Sequence, residues 1–188
     1  MRRLIAFEQL SLDGYFTDAN GDMSWAHQAP DDAEWNAFVS GNASGNGMLL
    51  FGRVTYQMME RFWPTPAAMQ AMPAVAEGMN AMPKVVFSRT LHDVSWRNTT
   101  LVHDDPADTV RRMKQEPGPD MAILGSGSLV SQLTQAGLID ELQLVINPVI
   151  VGAGRTLFEG VQQKRRLRRT NTRSFANGAV VLYYEPMT

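Results

Sequence analysis

Met121-Ala122-Ile123-Leu124-Gly125-Ser126-Gly127-Ser128 is a short apolar run that breaks at a Gly-Ser-Gly turn and continues at helical spacing from Ser128 to Ala136, where Gly137 ends it. A run this brief, bounded by glycine, reads as a buried strand, so the stretch spells strand, tight turn, helix. Leu49-Leu50-Phe51-Gly52-Arg53-Val54-Thr55 repeats the arrangement, with Met48 to Phe51 as the strand and Arg53 to Met59 opening the helix. A helix N-terminus leaves backbone N–H groups unpaired, and its dipole favours negative charge there. A glycine at that point lets a phosphate approach the backbone. Two such turns in a small domain can hold a diphosphate from opposite sides, which points to a nucleotide cofactor and hence to an enzyme.

The rest of the chain supplies the sheet around these turns. Leu4 to Leu10 reads as the opening strand, with turns at Asp13-Gly14 and Asn20-Gly21. Asp31 to Val39 has helical spacing. The Pro- and Met-rich stretch from Pro64 to Pro83 reads as a loop with one helix around Ala74–Asn80. Val85 to Phe87 and Thr99 to Val102 are further short strands, and Asp105 to Gln115 is a helix that breaks at Pro117-Gly118-Pro119. Glu141 to Val151 reads as a β-branched strand interrupted by Pro148. Arg165 to Ser174 and Ala179 to Tyr184 form a hairpin across Asn177-Gly178. Strands alternating with helices imply one α/β domain over residues 1–188: a mainly parallel sheet, helices on both faces and an antiparallel hairpin at the end.

Composition narrows the chemistry. The chain has 188 residues, 44% of them hydrophobic and 19% charged, which suits one globular domain with a full core. It has no cysteine, which excludes disulfides, thiolate metal sites and a cysteine nucleophile. The three histidines, His27, His92 and His103, lack metal-pair spacing and read as surface residues. The N-terminus reaches Glu8 before any long apolar stretch, so no signal peptide is expected, and no apolar run is long enough to span a membrane. A cytoplasmic location is the default expectation. The net charge of −2 argues against general nucleic-acid affinity. The basic cluster between Lys164 and Arg173 reads instead as the guarded edge of a sheet.

Gly125-Ser126-Gly127-Ser128-Leu129, Gly137-Leu138-Ile139-Asp140-Glu141-Leu142, Pro148-Val149-Ile150-Val151-Gly152-Ala153-Gly154 and Leu157-Phe158, in that order, resemble the RibD C-terminal family of riboflavin-biosynthesis reductase domains. Phe51-Gly52-Arg53-Val54-Thr55-Tyr56 and Val86-Phe87-Ser88-Arg89-Thr90 resemble cofactor-binding turns of the wider dihydrofolate reductase-like superfamily. The likeness covers nearly the whole chain. It implies an NADPH-dependent reductase acting on a small nitrogen heterocycle or its ribose adduct, such as 5-amino-6-(5-phosphoribosylamino)uracil. With no paired cysteines for a zinc deaminase, only the stand-alone reductase form fits. Relatives in this group pair, so a homodimer is expected, and the strand Gln143–Val151, taken as exposed, is compatible with one.

Each candidate residue has a functional role beside a plainer one. Gly52, Arg53 and Thr55 would bind one phosphate through N–H groups, hydroxyl and charge; the alternative is an ordinary strand–helix turn. Gly125, Ser126, Gly127 and Ser128 would meet the diphosphate through backbone donors. Ser88, Arg89 and Thr90 end a strand where ligands gather, and suit a ribose 2′-phosphate, favouring NADPH over NADH. Asp13 and Glu34 are the acidic candidates near the substrate, with Asp31 or Asp32 competing with Glu34; all of them also read as exposed carboxylates. Trp25, Asn147 and Arg155 would border the substrate, Arg155 meeting a phosphate. The methionines from Met58 to Met82 read as core, pocket wall or dimer surface. Two other readings stand beside the riboflavin-type reductase. One is a dihydrofolate or pteridine reductase, which needs Glu34 buried beside the nicotinamide. The other is a nucleotide-binding module without catalysis.

Overall fold

The short apolar runs become the parallel centre of an eight-stranded sheet, because strands buried on both faces need no polar alternation. The computed structural model describes residues 1–26, 32–43 and 46–187. His27 and Asp31, one of the carboxylates weighed against Glu34, lie outside the described residues. The strands are β1 (Leu4–Ser11), β2 (Tyr15–Asp18), β3 (Met48–Gly52), β4 (Lys84–Phe87), β5 (Thr99–Val102), β6 (Met121–Leu124), β7 (Glu141–Asn147), β8 (Gly154–Thr156), β9 (Leu167–Ser174) and β10 (Val180–Pro186). The helices are α1 (Ala33–Ala43), α2 (Arg53–Phe62), α3 (Pro66–Ala71), α4 (Pro73–Ala81), α5 (Pro106–Gln115) and α6 (Gly127–Gln135).

The sheet order is β5-β4-β3-β6-β1-β7-β10-β9. From β5 to β7 all pairings are parallel, and β10 and β9 add the antiparallel end. The C-terminal tips of β1, β3, β4, β6 and β7 therefore share one edge, where the loops that build sites belong. One face packs Leu4, Ala6, Leu50 and Ile123 with Val110 of α5 and Leu129 and Leu133 of α6. The other packs Leu49, Phe51 and Val86 with Tyr56 of α2 and Val75 and Met79 of α4. On that second face, towards the antiparallel end, Trp35 and Phe38 of α1 join Phe175 and Val181.

Three sequence expectations change here. Pro64–Pro83 holds two helices rather than a loop with one, since Pro66 and Pro73 each occupy a first-turn position where the missing N–H costs nothing. The strand expected over Glu141–Val151 ends at Asn147, before Pro148. It lies between β1 and β10 rather than at an edge, so it offers no free strand for dimer pairing. A two-stranded ribbon, β2 with β8, went unread because its short strands carry no apolar alternation.

Candidate functional site

β3 and β6 are paired neighbours, with Leu50 opposite Ile123, so the turns that follow them emerge side by side. The Gly52 amide donates to Ser126 Oγ at 3.0 Å, and the Thr55 hydroxyl donates to the Gly125 carbonyl at 2.6 Å. The two turns are thus bonded to each other, and α2 and α6 begin on the same cleft. Gly125 sits at φ 60, the left-handed region that favours glycine, and a Cβ there would lie 3.3 Å from Thr55 Cγ2. At Gly127 a Cβ would come within 2.7 Å of the Phe16 ring.

The cleft has a volume of about 610 Å³ and is lined by Gly52, Arg53, Thr55, Ser88, Arg89, Gly125, Ser126, Gly127, Ser128 and Arg155 among others. An adjoining groove of about 510 Å³ shares Gly127, Ser128 and Arg155 with it. Most of the residues expected to hold a dinucleotide therefore meet in one place. Their detailed roles differ from the expectation. The Thr55 hydroxyl and the Gly52 amide are spent on joining the turns, so the donors left for a ligand are the first-turn amides that follow, among them those of Val54, Gly127 and Ser128. Ser88 Oγ accepts from the amides of Thr90 and Leu91, at 3.2 and 3.0 Å, and so shapes its own turn. Thr90 is not part of the cleft wall.

The cations stay available. Arg89 is exposed and makes no hydrogen bond among the described residues. Arg53 Nη1 donates to Gln57 Oε1 at 3.1 Å, and Arg155 Nε donates to Glu159 Oε2 at 3.4 Å, both on exposed ground. His103, read as a plain surface residue, lies on the cleft wall, with Nδ1 2.7 Å from the Ser88 carbonyl. A carbonyl only accepts, so Nδ1 carries the proton.

Of the described acidic and substrate candidates, Arg155 lines this cleft, while Asp13, Asp32, Glu34, Trp25 and Asn147 do not. Asp13 Oδ1 accepts from Ser11 Oγ at 2.6 Å and from the Val151 amide at 3.1 Å, and Oδ2 accepts from the Gly152 amide at 2.8 Å. These donors, Ser11 first and then the two amides, hold its carboxyl below the usual range. Asp13 is an anionic clamp between the loop after β1 and the loop after β7, a poor proton donor. Glu34 is half-exposed; its Oε1 lies 3.8 Å from Arg173 and its Oε2 accepts from the Ala176 amide at 3.3 Å, which ties α1 to the hairpin. Asp32 caps α1 through the Trp35 amide and accepts from Asn177 Nδ2 at 2.7 Å. Asn147 is buried and donates to Gln9 Oε1 at 2.9 Å and the Leu10 carbonyl at 3.2 Å, bridging β7 to β1. Trp25 is half-buried and donates to the Asp22 carbonyl at 3.1 Å; its neighbours Asp22 and Met23, not its own ring, reach the cleft wall.

One group at the site was missed. Glu8 is 1% exposed, under the Gly125–Ser126 turn, and its Oε1 accepts from the Ser126 amide at 3.3 Å. Burial pushes its carboxyl well above the ordinary range, only partly offset by the amides of Ser126 and Gly125. The alternation Leu4, Ala6, Glu8, Leu10 was the available signal: an acid at an inward-facing strand position. Among the described residues, no cluster of His, Asp and Glu is arranged to hold a metal ion, and no helix is long and apolar enough to cross a membrane.

Known proteins share this architecture along its full length. The chain is 29% identical over 183 residues to the uncharacterized protein YyaP of Bacillus subtilis (strain 168), covering 97% of this chain and 94% of that one. A putative riboflavin biosynthesis protein from Shewanella sp. PV-4 superposes with a TM-score of 0.75 at 20% identity, covering 99% of each chain. A diaminohydroxyphosphoribosylaminopyrimidine deaminase/5-amino-6-(5-phosphoribosylamino)uracil reductase from Thermotoga maritima superposes with a TM-score of 0.69 at 12% identity, over 99% of this chain and 57% of that one. The family model of the RibD C-terminal domain matches residues 2–181. On that match, which spans nearly the whole chain, the protein belongs to the RibD C-terminal domain family.

Proposed function

We propose that this protein is an NADPH-dependent reductase of a small nitrogen heterocycle or its ribose adduct, of the 5-amino-6-(5-phosphoribosylamino)uracil type. The observation that carries this reading is the pair of bonded turns, Gly52 N–H to Ser126 Oγ and Thr55 Oγ1 to Gly125 O, opening two helix N-termini onto one cleft. The residues fit a dinucleotide diphosphate. Gly125 and Gly127 let the turn pack closely against Thr55 and the Phe16 ring, first-turn amides supply neutral donors, and Arg53 and Arg155 supply charge. Arg89 and His103 both line the wall and suit a ribose 2′-phosphate.

When bound, NADPH supplies a hydride from C4 of its nicotinamide, and the protein supplies binding, orientation and exclusion of water. Asp13 acts at a distance, holding the loop after β7 against the loop after β1. The pteridine reading requires a carboxylate buried beside the nicotinamide. Glu34 is half-exposed and engaged by the hairpin, so that reading loses its key residue. The test is a binding titration with NADPH and NADH, followed by an absorbance screen for oxidation of the reduced cofactor with pyrimidine and pterin acceptors. Tighter binding of NADPH and turnover of an aminopyrimidine support the proposal. Binding of neither nucleotide overturns it, and binding without turnover of any acceptor favours the non-catalytic module.

A further inference from the structure

Glu8 has no place in the dinucleotide reading as it stands, yet it sits at the base of the turn that reading depends on. Its strand neighbours Leu4, Ala6 and Leu10 belong to the apolar core, and Leu144 lies opposite it on β7. One oxygen accepts a long hydrogen bond from the Ser126 amide. The other, Oε2, is buried and has no hydrogen-bond partner among the described residues. A buried carboxylate needs several donors to stay charged, and this one lacks them, whereas a neutral acid can carry its proton on the unpartnered oxygen. Ser126 also accepts from Gly52 through its hydroxyl, so the residue that Glu8 touches is the one that ties the two turns together.

We propose that Glu8 is a positioning residue that, as the neutral acid, holds the Gly125–Ser126 turn in the form that receives a dinucleotide diphosphate, and that its ionisation weakens that binding. The proposal rests on the dinucleotide reading and adds a proton linkage to it. Ionised, Glu8 would place a negative charge beneath the amides that face the diphosphate, and it would draw the Ser126 amide towards itself. Burial, which lifts its carboxyl far above the ordinary range, agrees with the neutral form. The charged and titratable side chains that line the cleft above are Arg53, Arg89, Arg155, Asp22, Asp104 and His103. By linkage, a bound dinucleotide in turn favours the protonated acid.

The experiment compares the wild-type protein with Glu8→Gln, a neutral isostere that keeps the acceptor for the Ser126 amide. Dissociation constants for NADPH and NADH are measured from about pH 5 to about pH 9.5; NADH is included because the 2′-phosphate of NADPH itself titrates. In the wild type, both constants are expected to rise with pH, approaching about tenfold per pH unit, the limit for one linked proton. In Glu8→Gln that rise is expected to be absent. The cleft residues named above remain in both proteins, so the difference between profiles isolates Glu8. An infrared spectrum of the wild type without ligand should show the carbonyl band of a neutral carboxylic acid at neutral pH, absent from the variant. Identical pH profiles, a flat wild-type profile or a missing acid band would each overturn the proposal while leaving dinucleotide binding intact. Failure of the wild type to bind either nucleotide at any pH overturns the dinucleotide reading, and this proposal with it.

Discussion

Asp13, Glu34 and Glu8 show how partners decide what a carboxyl group does. Asp13, although exposed, accepts hydrogen bonds from Ser11, Val151 and Gly152, which stabilise its charged form. Its carboxyl is held below the usual range, so its contribution to stability is present above the unfolded value and lost as pH falls through the lower folded one. Thermal melts of wild type and Asp13→Asn should therefore differ at neutral pH and converge in acid; a gap that persists in strong acid would contradict the clamp. Arg89 presents the opposite case, an exposed cation on the cleft wall with no partner among the described residues to satisfy it. Arg89→Ala should weaken NADPH by roughly 10- to 100-fold, the scale of about 1.5–3 kcal/mol for a charge-assisted contact, and leave NADH nearly unchanged. Equal losses for both nucleotides would place the 2′-phosphate elsewhere.

The two strand–turn–helix units act as a pair at the scale of elements. Each was legible as a strand, turn and helix, from Gly52-Arg53-Val54-Thr55 and Gly125-Ser126-Gly127-Ser128, because a glycine there separates an apolar run from a helical spacing. Their mutual hydrogen bonds were not legible, since Thr55 and Gly125 meet only when β3 pairs with β6. Thr55→Val removes the donor to the half-buried Gly125 carbonyl, which should destabilise the fold by about 1 kcal/mol and loosen dinucleotide binding. Denaturant unfolding and a binding titration check the two effects. Gly127→Ala pushes a methyl group into the Phe16 ring, only 2.7 Å from where the Cβ would stand. The ring must shift into the cleft wall, so binding should weaken by more than stability does.

Two faces of one sheet set the distribution of work across the whole molecule. α5 and α6 cover the face that carries Glu8, while α1, α2 and α4 cover the other. On that second face Gly78 of α4 lies so close to α1 that a Cβ would meet the Ala43 carbonyl at 2.1 Å. Gly78→Ala should force the helices apart and cost about 1–3 kcal/mol, the usual scale for overpacking. Calorimetry should show a lower melting temperature, with nucleotide affinity little changed because the strand tips are distant in the fold. Part of the basic stretch from Lys164 to Arg173 is tied to the fold: Arg165 donates to the Gln135 carbonyl at 2.9 Å, Arg168 pairs with Glu185 at 3.0 Å, and Arg173 lies over the Phe175 ring at 4.5 Å.

Local chemistry in the chain itself determined where most strands and helices fall, which turns contain glycine, and that a hairpin closes the sheet at Asn177-Gly178, because periodicity and backbone preference act over a few residues. Only the tertiary structure decided which polar groups remain free. Thr55, Asp13 and Asn147 had the right chemistry for ligand contacts, yet each is satisfied by a backbone group far away in sequence. Glu8 had no distinction in the sequence beyond its inward-facing register, and burial beneath a turn more than a hundred residues away gave it one. Hydrogen-bond satisfaction and desolvation depend on distant partners, and strand order alone brings those partners together.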